Sequence, residues 1–213
     1  PECAQMQGLS LKNVGVKALD ENDKTVYEDF GELMFTHFGM TGPTILSMSA
    51  YLKDIGSKKY TISIDLKPAL DRSVLDRRIL SDFSSLLNRD FGNSLSALLP
   101  SKMIAPFVKM TGIPPFKKVN SITKGERSVI VELLKDMRFT VKRTRPVREA
   151  IITSGGVNVA GINPRTMESK KIKGLFFAGE IIDVDAYTGG FNLGIAFSTA
   201  RLAAENAARS ENE

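Results

Sequence analysis

Over the first seventy positions apolar residues mostly recur at every second place. Leu11, Val14, Val16 and Leu19 do so with one slip at Asn13-Val14, and Asp20-Glu21-Asn22-Asp23 then reads as a turn. Val26, Phe30, Leu33 and Phe35 follow as one or two further strands, which gives a β-hairpin feeding a small antiparallel sheet. Thr41 is expected to cap a helix that has Gly42 and Pro43 in its first positions and ends near Leu52. Between Lys59 and Leu66, Tyr60, Ile62, Ile64 and Leu66 alternate with Thr61, Ser63 and Asp65, the pattern of a half-buried strand, and Pro68 closes it.

From Asp71 the period lengthens. Val74, Leu75, Ile79, Leu80, Phe83, Leu86 and Leu87 fall at helical spacing, with Asp71 or Ser73 as the cap. A second helical region covers Asn93–Met110, and Pro100 and Pro106 are expected to cut it into short pieces. Ile113-Pro114-Pro115-Phe116 is a rigid connector. Thr123 followed by Glu126 forms a capping box that opens a third helix ending at Met137. Phe139–Glu149 returns to strand. The expected class is therefore α+β. A small antiparallel β-rich, substrate-side domain (residues 1–70 and 138–152) is interrupted by a helical insert (71–137). A C-terminal strand–helix segment (153–213) follows.

The stretch richest in chemistry is Gly174–Ala200. Leu175-Phe176-Phe177-Ala178 reads as a buried strand that ends at Gly179. An acidic loop follows, then Gly189-Gly190, then Asn192 as the N-cap of a helix continuing towards Ala208. A helix start offers unpaired N–H groups and a partial positive charge, suited to a phosphate or an electron-rich carbonyl. A carboxylate at a strand end accepts from sugar hydroxyls. An ordinary βα unit with a glycine-rich turn explains the same letters equally well.

Composition narrows the choices. The chain has 213 residues, 42% hydrophobic and 25% charged, with a net charge of +5. It is long enough for one large or two small domains and mild enough in charge that nothing in it demands nucleic acid. No apolar run is long enough to span a membrane. The opening PECAQMQG lacks the basic and apolar segments of a signal peptide and lacks an initiator Met, so a processed chain or a piece of a longer one is expected. Cys3 is the single cysteine and His37 the single histidine. Disulfides, thiolate or histidine metal centres and most Ser/His/Asp hydrolases are thereby set aside, and a reducing, cytoplasmic setting is expected.

GLFFAGE with DVDAYTGGFNLGIAFSTA closely resembles the C-terminal flavin-binding motif of the BaiN-like and aminoacetone-oxidase-like FAD-dependent oxidoreductases. GELMFTHFGMTGPTIL (Gly31–Leu46) and TSGGV (Thr153–Val157) fit the same family, and the resemblance covers nearly the whole chain. It implies that residues 153–213 belong to a FAD-binding α/β domain. It also implies that the flavin is met by Thr153, Ser154, Gly155, Gly156, Gly179, Glu180, Asp183, Thr188, Gly189, Gly190, Phe191 and Asn192. Among these, Glu180 is expected near the ribityl chain, with Asp183 as second candidate, and the amides around Gly190, Phe191 and Asn192 at the flavin's pyrimidine edge. No catalytic acid or base is assigned; His37 is the weak candidate.

In that family a dinucleotide-binding half precedes the matching region, and no GxGxxG occurs here. The expected function is a fragment of a FAD-dependent oxidoreductase acting on a small organic substrate, inactive alone, with NAD(P)H as a candidate electron donor and the absent N-terminal half as partner. Two alternatives stay open: an anion- or partner-binding module using Lys142, Arg143, Arg145 and Arg148, and an inactive insert domain. Nucleic acid ranks last among the partners, because no aromatic residue interleaves with those arginines.

Overall fold

A computed structural model describes residues 2–210. The chain is α+β and separates into two compact units, one ending at Arg143 and the other beginning at Thr144.

The first unit opens with a short helix, α1 (Glu2–Gln5), and then builds a five-stranded sheet. Strands β1 (Ser10–Leu19), β2 (Thr25–Thr36), β3 (Gly39–Thr41), β4 (Tyr60–Asp65) and β5 (Met137–Val141) pair antiparallel throughout, in the order β3-β2-β1-β4-β5. The β1–β2 turn forms because the Asp20 carboxylate accepts from the amides of Asn22 and Lys24, both at 2.9 Å, while Asp23 takes φ 58°. The slip read at Asn13 is a bulge: β1 advances from Leu11 to Val14 while β2 advances only from Leu33 to Gly31, and Asn13 sits at φ 57°. The extra residue keeps Leu11, Val14, Val16 and Ala18 all on the buried face.

Helix α2 (Pro43–Ser49) lies against β2. Its first residue is Pro43 and its N-cap is Gly42, so Thr41, expected as the cap, instead ends β3. Gly42 stands at φ 108° with its absent Cβ 3.0 Å from the Leu33 Cα, and the Thr44 hydroxyl donates to the Glu32 carbonyl at 2.9 Å. Close approach to β2 explains this glycine without a ligand. His37 is exposed in the β2–β3 turn, edge-on to Phe38 with ring centroids 5.0 Å apart.

Three longer helices follow β4: α3 (Arg72–Ser84), α4 (Ser101–Thr111) and α5 (Lys124–Lys135). Asp71 caps α3 by accepting from the Val74 amide at 2.8 Å, and the Thr123–Glu126 capping box opens α5. Pro106 does not divide α4. It is buried within that helix, where the loss of one backbone donor is offset by packing of Met103, Phe107 and Val108. Helix α5 packs on β4, β5, α3 and α4. The Lys135 ammonium fixes its end, donating to the carbonyls of Lys67 (3.0 Å) and Leu70 (2.7 Å) and pairing with Asp65 at 2.6 Å. The core between sheet and helices holds Phe35, Ile64, Leu75, Ile79, Phe91, Met103, Phe107 and Ile130, all fully buried.

Strand β5 stops at Val141, so the expected strand through Glu149 is cut short. Lys142, Arg143 and Arg145 are like charges in sequence, and Pro146 lacks a donor and leads into a single 3-10 turn, Val147–Glu149.

The second unit is mostly irregular. Single bridges join Val157 to Ile182, Ile162 to Ser169 and Glu168 to Phe176. A small core of Ile162, Met167, Ile182 and Ala203 gathers Val157, Phe176, Phe177, Ala178 and Leu202 around it. Leu175–Ala178, expected as a buried strand, makes no ladder. Its backbone is satisfied locally by Ser169 N–H to the Leu175 carbonyl (2.7 Å) and Phe177 N–H to the Met167 carbonyl (3.0 Å), and no neighbouring strand flanks it among the described residues. Helix α6 (Phe191–Ser210) closes the chain.

Candidate functional site

The start of α6 is the centre of the candidate site. Helix α6 begins at Phe191, one residue before the expected cap, so Asn192 lies in its first turn. The Asn192 side chain reaches back to Ala186. Its Oδ1 accepts from the Ala186 amide at 2.8 Å and its Nδ2 donates to the Ala186 carbonyl at 2.9 Å. The side chain thus holds the acidic loop rather than capping the helix. The amides of Gly189, Gly190, Phe191, Asn192 and Leu193 make no hydrogen bond within the described residues; the first to do so is Gly194, which donates to the Gly190 carbonyl at 3.0 Å. Gly189 and Gly190 have φ 122° and 91°, conformations that L side chains rarely adopt. A Cβ on Gly190 would meet nothing within 4 Å.

An open hollow of about 600 Å³ lies over this turn, lined by Gly189, Gly190, Phe191, Gly194, Ile195, Ser198 and Thr199. A smaller recess of about 10 Å³, room for one water, is lined by Thr153, Gly179, Glu180, Asn192 and four apolar neighbours including Ile195. The structure therefore brings Thr153, Gly179, Glu180 and Asn192 together, and sets Gly189, Gly190 and Phe191 on an adjoining wall. Ser154, Gly155, Gly156, Asp183 and Thr188 line neither space.

The glycine of Gly156 has a structural cause. At φ 153° its absent Cβ would fall 2.4 Å from the Ile181 carbonyl oxygen. That approach is set by Val157, whose N–H donates to the Ile181 carbonyl (2.8 Å) and whose carbonyl accepts from the Asp183 amide (3.0 Å). Gly155, at φ 102°, has open space around it, and Glu180, Asp183 and Thr188 are exposed.

One residue that the sequence reading passed over ties the site together. The Thr199 hydroxyl accepts from the Gly179 amide at 3.0 Å and lies 2.8 Å from the Ile195 carbonyl, to which it donates. The Gly179 amide is consequently engaged by the chain itself. The only sequence signal was a threonine one helical turn after Ile195, on the face that carries small residues.

In the basic stretch, Arg145 pairs with Glu149 at 2.5 Å, and Lys142, Arg143 and Arg148 are exposed. Among the described residues no group of three His, Cys, Asp or Glu side chains is placed to hold a metal ion, and no helix is long and apolar enough to cross a membrane.

Residues 1–152 match the family described as the HI0933-like protein barrel and H2TH domain. This chain belongs to that family. Over 205 residues it is 30% identical to the ribosomal RNA dihydrouridine synthase of Escherichia coli, covering 96% of this chain and 48% of that protein. The protein of the same name from Haemophilus influenzae is 31% identical over 180 residues (84% of this chain, 43% of that protein). The 3-dehydro-bile acid delta(4,6)-reductase of Clostridium scindens is 24% identical over 183 residues (85% and 45%). The chain thus spans about half the length of the curated relatives it matches.

Proposed function

We propose that this chain is the barrel-and-helix part, with the C-terminal segment, of a FAD-dependent oxidoreductase that reduces a ring carbon–carbon double bond, and that its substrate is a uridine base in ribosomal RNA. The observation that carries the flavin reading is the uncommitted row of amides at Gly189–Asn192, facing an open hollow at the start of a long helix. The residues fit the group. Gly190 has room in front of it, and both glycines hold positive φ beside amides that make no hydrogen bond among the described residues.

FAD, when bound, supplies hydride transfer to the substrate carbon. The chain's own part is to bind and orient. The Gly190–Asn192 amides would donate to the ring's electron-rich edge, and the helix start would stabilise negative charge there by roughly 0.3–2 kcal/mol. Asn192 holds the 183–188 loop through Ala186 so that the loop leaves those amides open. Glu180, exposed beside Thr153 in the small recess, would accept from polyol hydroxyls. Phe191, 63% exposed, would cover one side of the bound ring. A dinucleotide-binding half is the partner that would hold the pyrophosphate, and NAD(P)H is the proposed electron donor.

Support for the substrate comes from names borne by relatives. Two of them, at 30% and 31% identity, are called ribosomal RNA dihydrouridine synthases, and dihydrouridine is a uridine whose ring double bond has been saturated. The sequence-based ranking, which put nucleic acid last, rested on the region near Arg145 alone. The bile-acid reductase relative favours a second reading, a small conjugated ketone as substrate, with the same bond chemistry and the same flavin wall.

The test is a FAD titration followed by flavin fluorescence, on the chain joined to a dinucleotide-binding domain. Binding is expected, and Gly190→Val should weaken it at least tenfold without changing the melting temperature of the first unit. A protein that stays colourless under reconstitution, or a Gly190→Val variant that binds FAD as well as the parent, overturns the reading.

A further inference from the structure

The most exposed of the large hydrophobic side chains in the described residues is Phe116, at 81%. It does not sit on a loose loop. Pro114-Pro115-Phe116-Lys117 is a turn closed by the Lys117 amide on the Pro114 carbonyl at 3.0 Å, with one of the two prolines, Pro115, setting φ at the second position. A second segment braces it from beneath. The Phe91 amide donates to the Lys117 carbonyl and the Gly92 amide to the Pro115 carbonyl, both at 2.8 Å. Asp90 and Lys118 form an antiparallel bridge, and the Val119 amide donates to the Arg89 carbonyl at 3.0 Å. Gly92 permits this contact, since an added Cβ would lie 3.3 Å from Pro115. Phe91 anchors the brace in the core, fully buried and edge-on to Phe83 at 6.5 Å. The Lys117 ammonium ties the turn to the start of α5 through Glu126, at 2.6 Å.

A phenyl ring held out to water on so stiff a mount is costly to hydrate and cheap to use, because little conformational entropy remains to be lost on binding. Its surroundings favour an anion. Lys118 and Arg89 are exposed on the paired segments and Lys124 is exposed at the head of α5. Arg89 and Lys124 make no ion pair among the described residues, and the acids in the same stretch, Asp90 and Glu126, are already engaged by Lys118 and Lys117. A flat apolar ring among cations suits a partner that alternates flat rings with phosphates. Bases can stack on it only where they are not already stacked in a duplex.

We propose that the Phe116 turn is a contact for single-stranded RNA, with one base stacked on Phe116 and backbone phosphates met by Arg89 and Lys124. This rests on the RNA reading of the substrate given above and is independent of the flavin wall.

The experiment measures fluorescence anisotropy of a short, labelled, uridine-rich single-stranded RNA with the whole chain at fixed low salt. Phe116→Ala should weaken binding roughly five- to a hundredfold, the range for one lost base stack, while Phe116→Trp should bind at least as well as the parent. Arg89→Glu with Lys124→Glu should weaken binding and flatten its salt dependence by about one counterion unit per lost phosphate contact. A 4-thiouridine probe should crosslink to the peptide containing Phe116, a readout that does not depend on any variant folding. If the parent binds RNA but Phe116→Ala binds equally well and the crosslink maps elsewhere, this contact is overturned and the RNA reading stands. If the parent does not bind RNA at all, both fall, and the FAD titration still judges the flavin site separately.

Discussion

Asn192 and Ala186 are joined by a matched pair of hydrogen bonds, the side-chain amide of one imitating a strand partner for the backbone of the other, at 2.8 and 2.9 Å. An asparagine at the start of a helix is ordinarily read as a cap for that helix. Here it serves the loop before it, and the helix amides are left to something else.

Replacing Asn192 by Ala should therefore free the loop while leaving α6 formed. A loss of about 1–2 kcal/mol in local stability is expected. Native-state hydrogen exchange should show the Ala186 amide exchanging roughly tenfold faster or more, with the middle of α6 unchanged. Fraying of the whole helix would instead mean that Asn192 acts as its cap.

Gly156 and Gly155 are adjacent, yet their substitution should have unequal effects. Alanine at 156 places a methyl 2.4 Å from a carbonyl oxygen and must part Val157 from Ile181. A cost of about 3 kcal/mol or more to the second unit is expected. Alanine at 155 meets open space and bears only the backbone penalty of φ 102°, about 1 kcal/mol. Urea unfolding followed through the second unit separates the two, and equal effects would contradict the assigned cause.

Lys135 is largely buried, its side chain 10% exposed, and it holds Asp65 and two carbonyls at once. Lys135→Met should lower stability by about 3 kcal/mol because the Asp65 carboxylate and both carbonyls lose their donor together. Adding Asp65→Leu should recover part of that loss by removing the unpaired acid. The denaturation midpoints of the single and double variants are the measurement.

The Glu126 carboxyl is held below the ordinary glutamate range, first by the hydrogen bond from the Lys117 ammonium and then by the Thr123 amide. Its folded pKa is depressed, so the unfolded chain takes up the proton first. The stabilisation is present above the unfolded value, about 4.3, and drains away as pH falls through the folded value. The difference in melting temperature between the parent and Glu126→Gln should be full at neutral pH and should shrink as pH falls below the unfolded value and through the lower folded one. A gap that persists at acid pH would assign the effect to shape rather than charge.

Legibility in the sequence followed the range of the forces involved. The bulge at Asn13, the Asp20 turn, the Asp71 cap and the Thr123 capping box are settled by residues a few places apart, and each is readable from its letters. Pro106 was misread because tertiary packing outweighs one lost backbone bond. Leu175–Ala178 was misread because a short apolar run becomes a strand only if a neighbour pairs with it, and neighbours are not written locally. At the candidate site, the glycine pair before α6 could be read from composition and position. Gly156 could not, since its reason is a carbonyl twenty-five positions away, at Ile181. Thr199 was hidden for the same reason: its partner, Gly179, lies twenty residues earlier.

The unmatched residue in β1 also limits how this lineage can vary. Because side chains alternate along a strand, the loss of that one extra residue would leave Leu11 and Val14 two places apart and both still facing inward, in step with Leu33 and Gly31. A single loss or gain between Val14 and Ala18 would instead turn one side of the arm outward, so related genes should vary in length at the hairpin tip, around Asp20–Asp23, and at the bulge, and keep their residue count between the two.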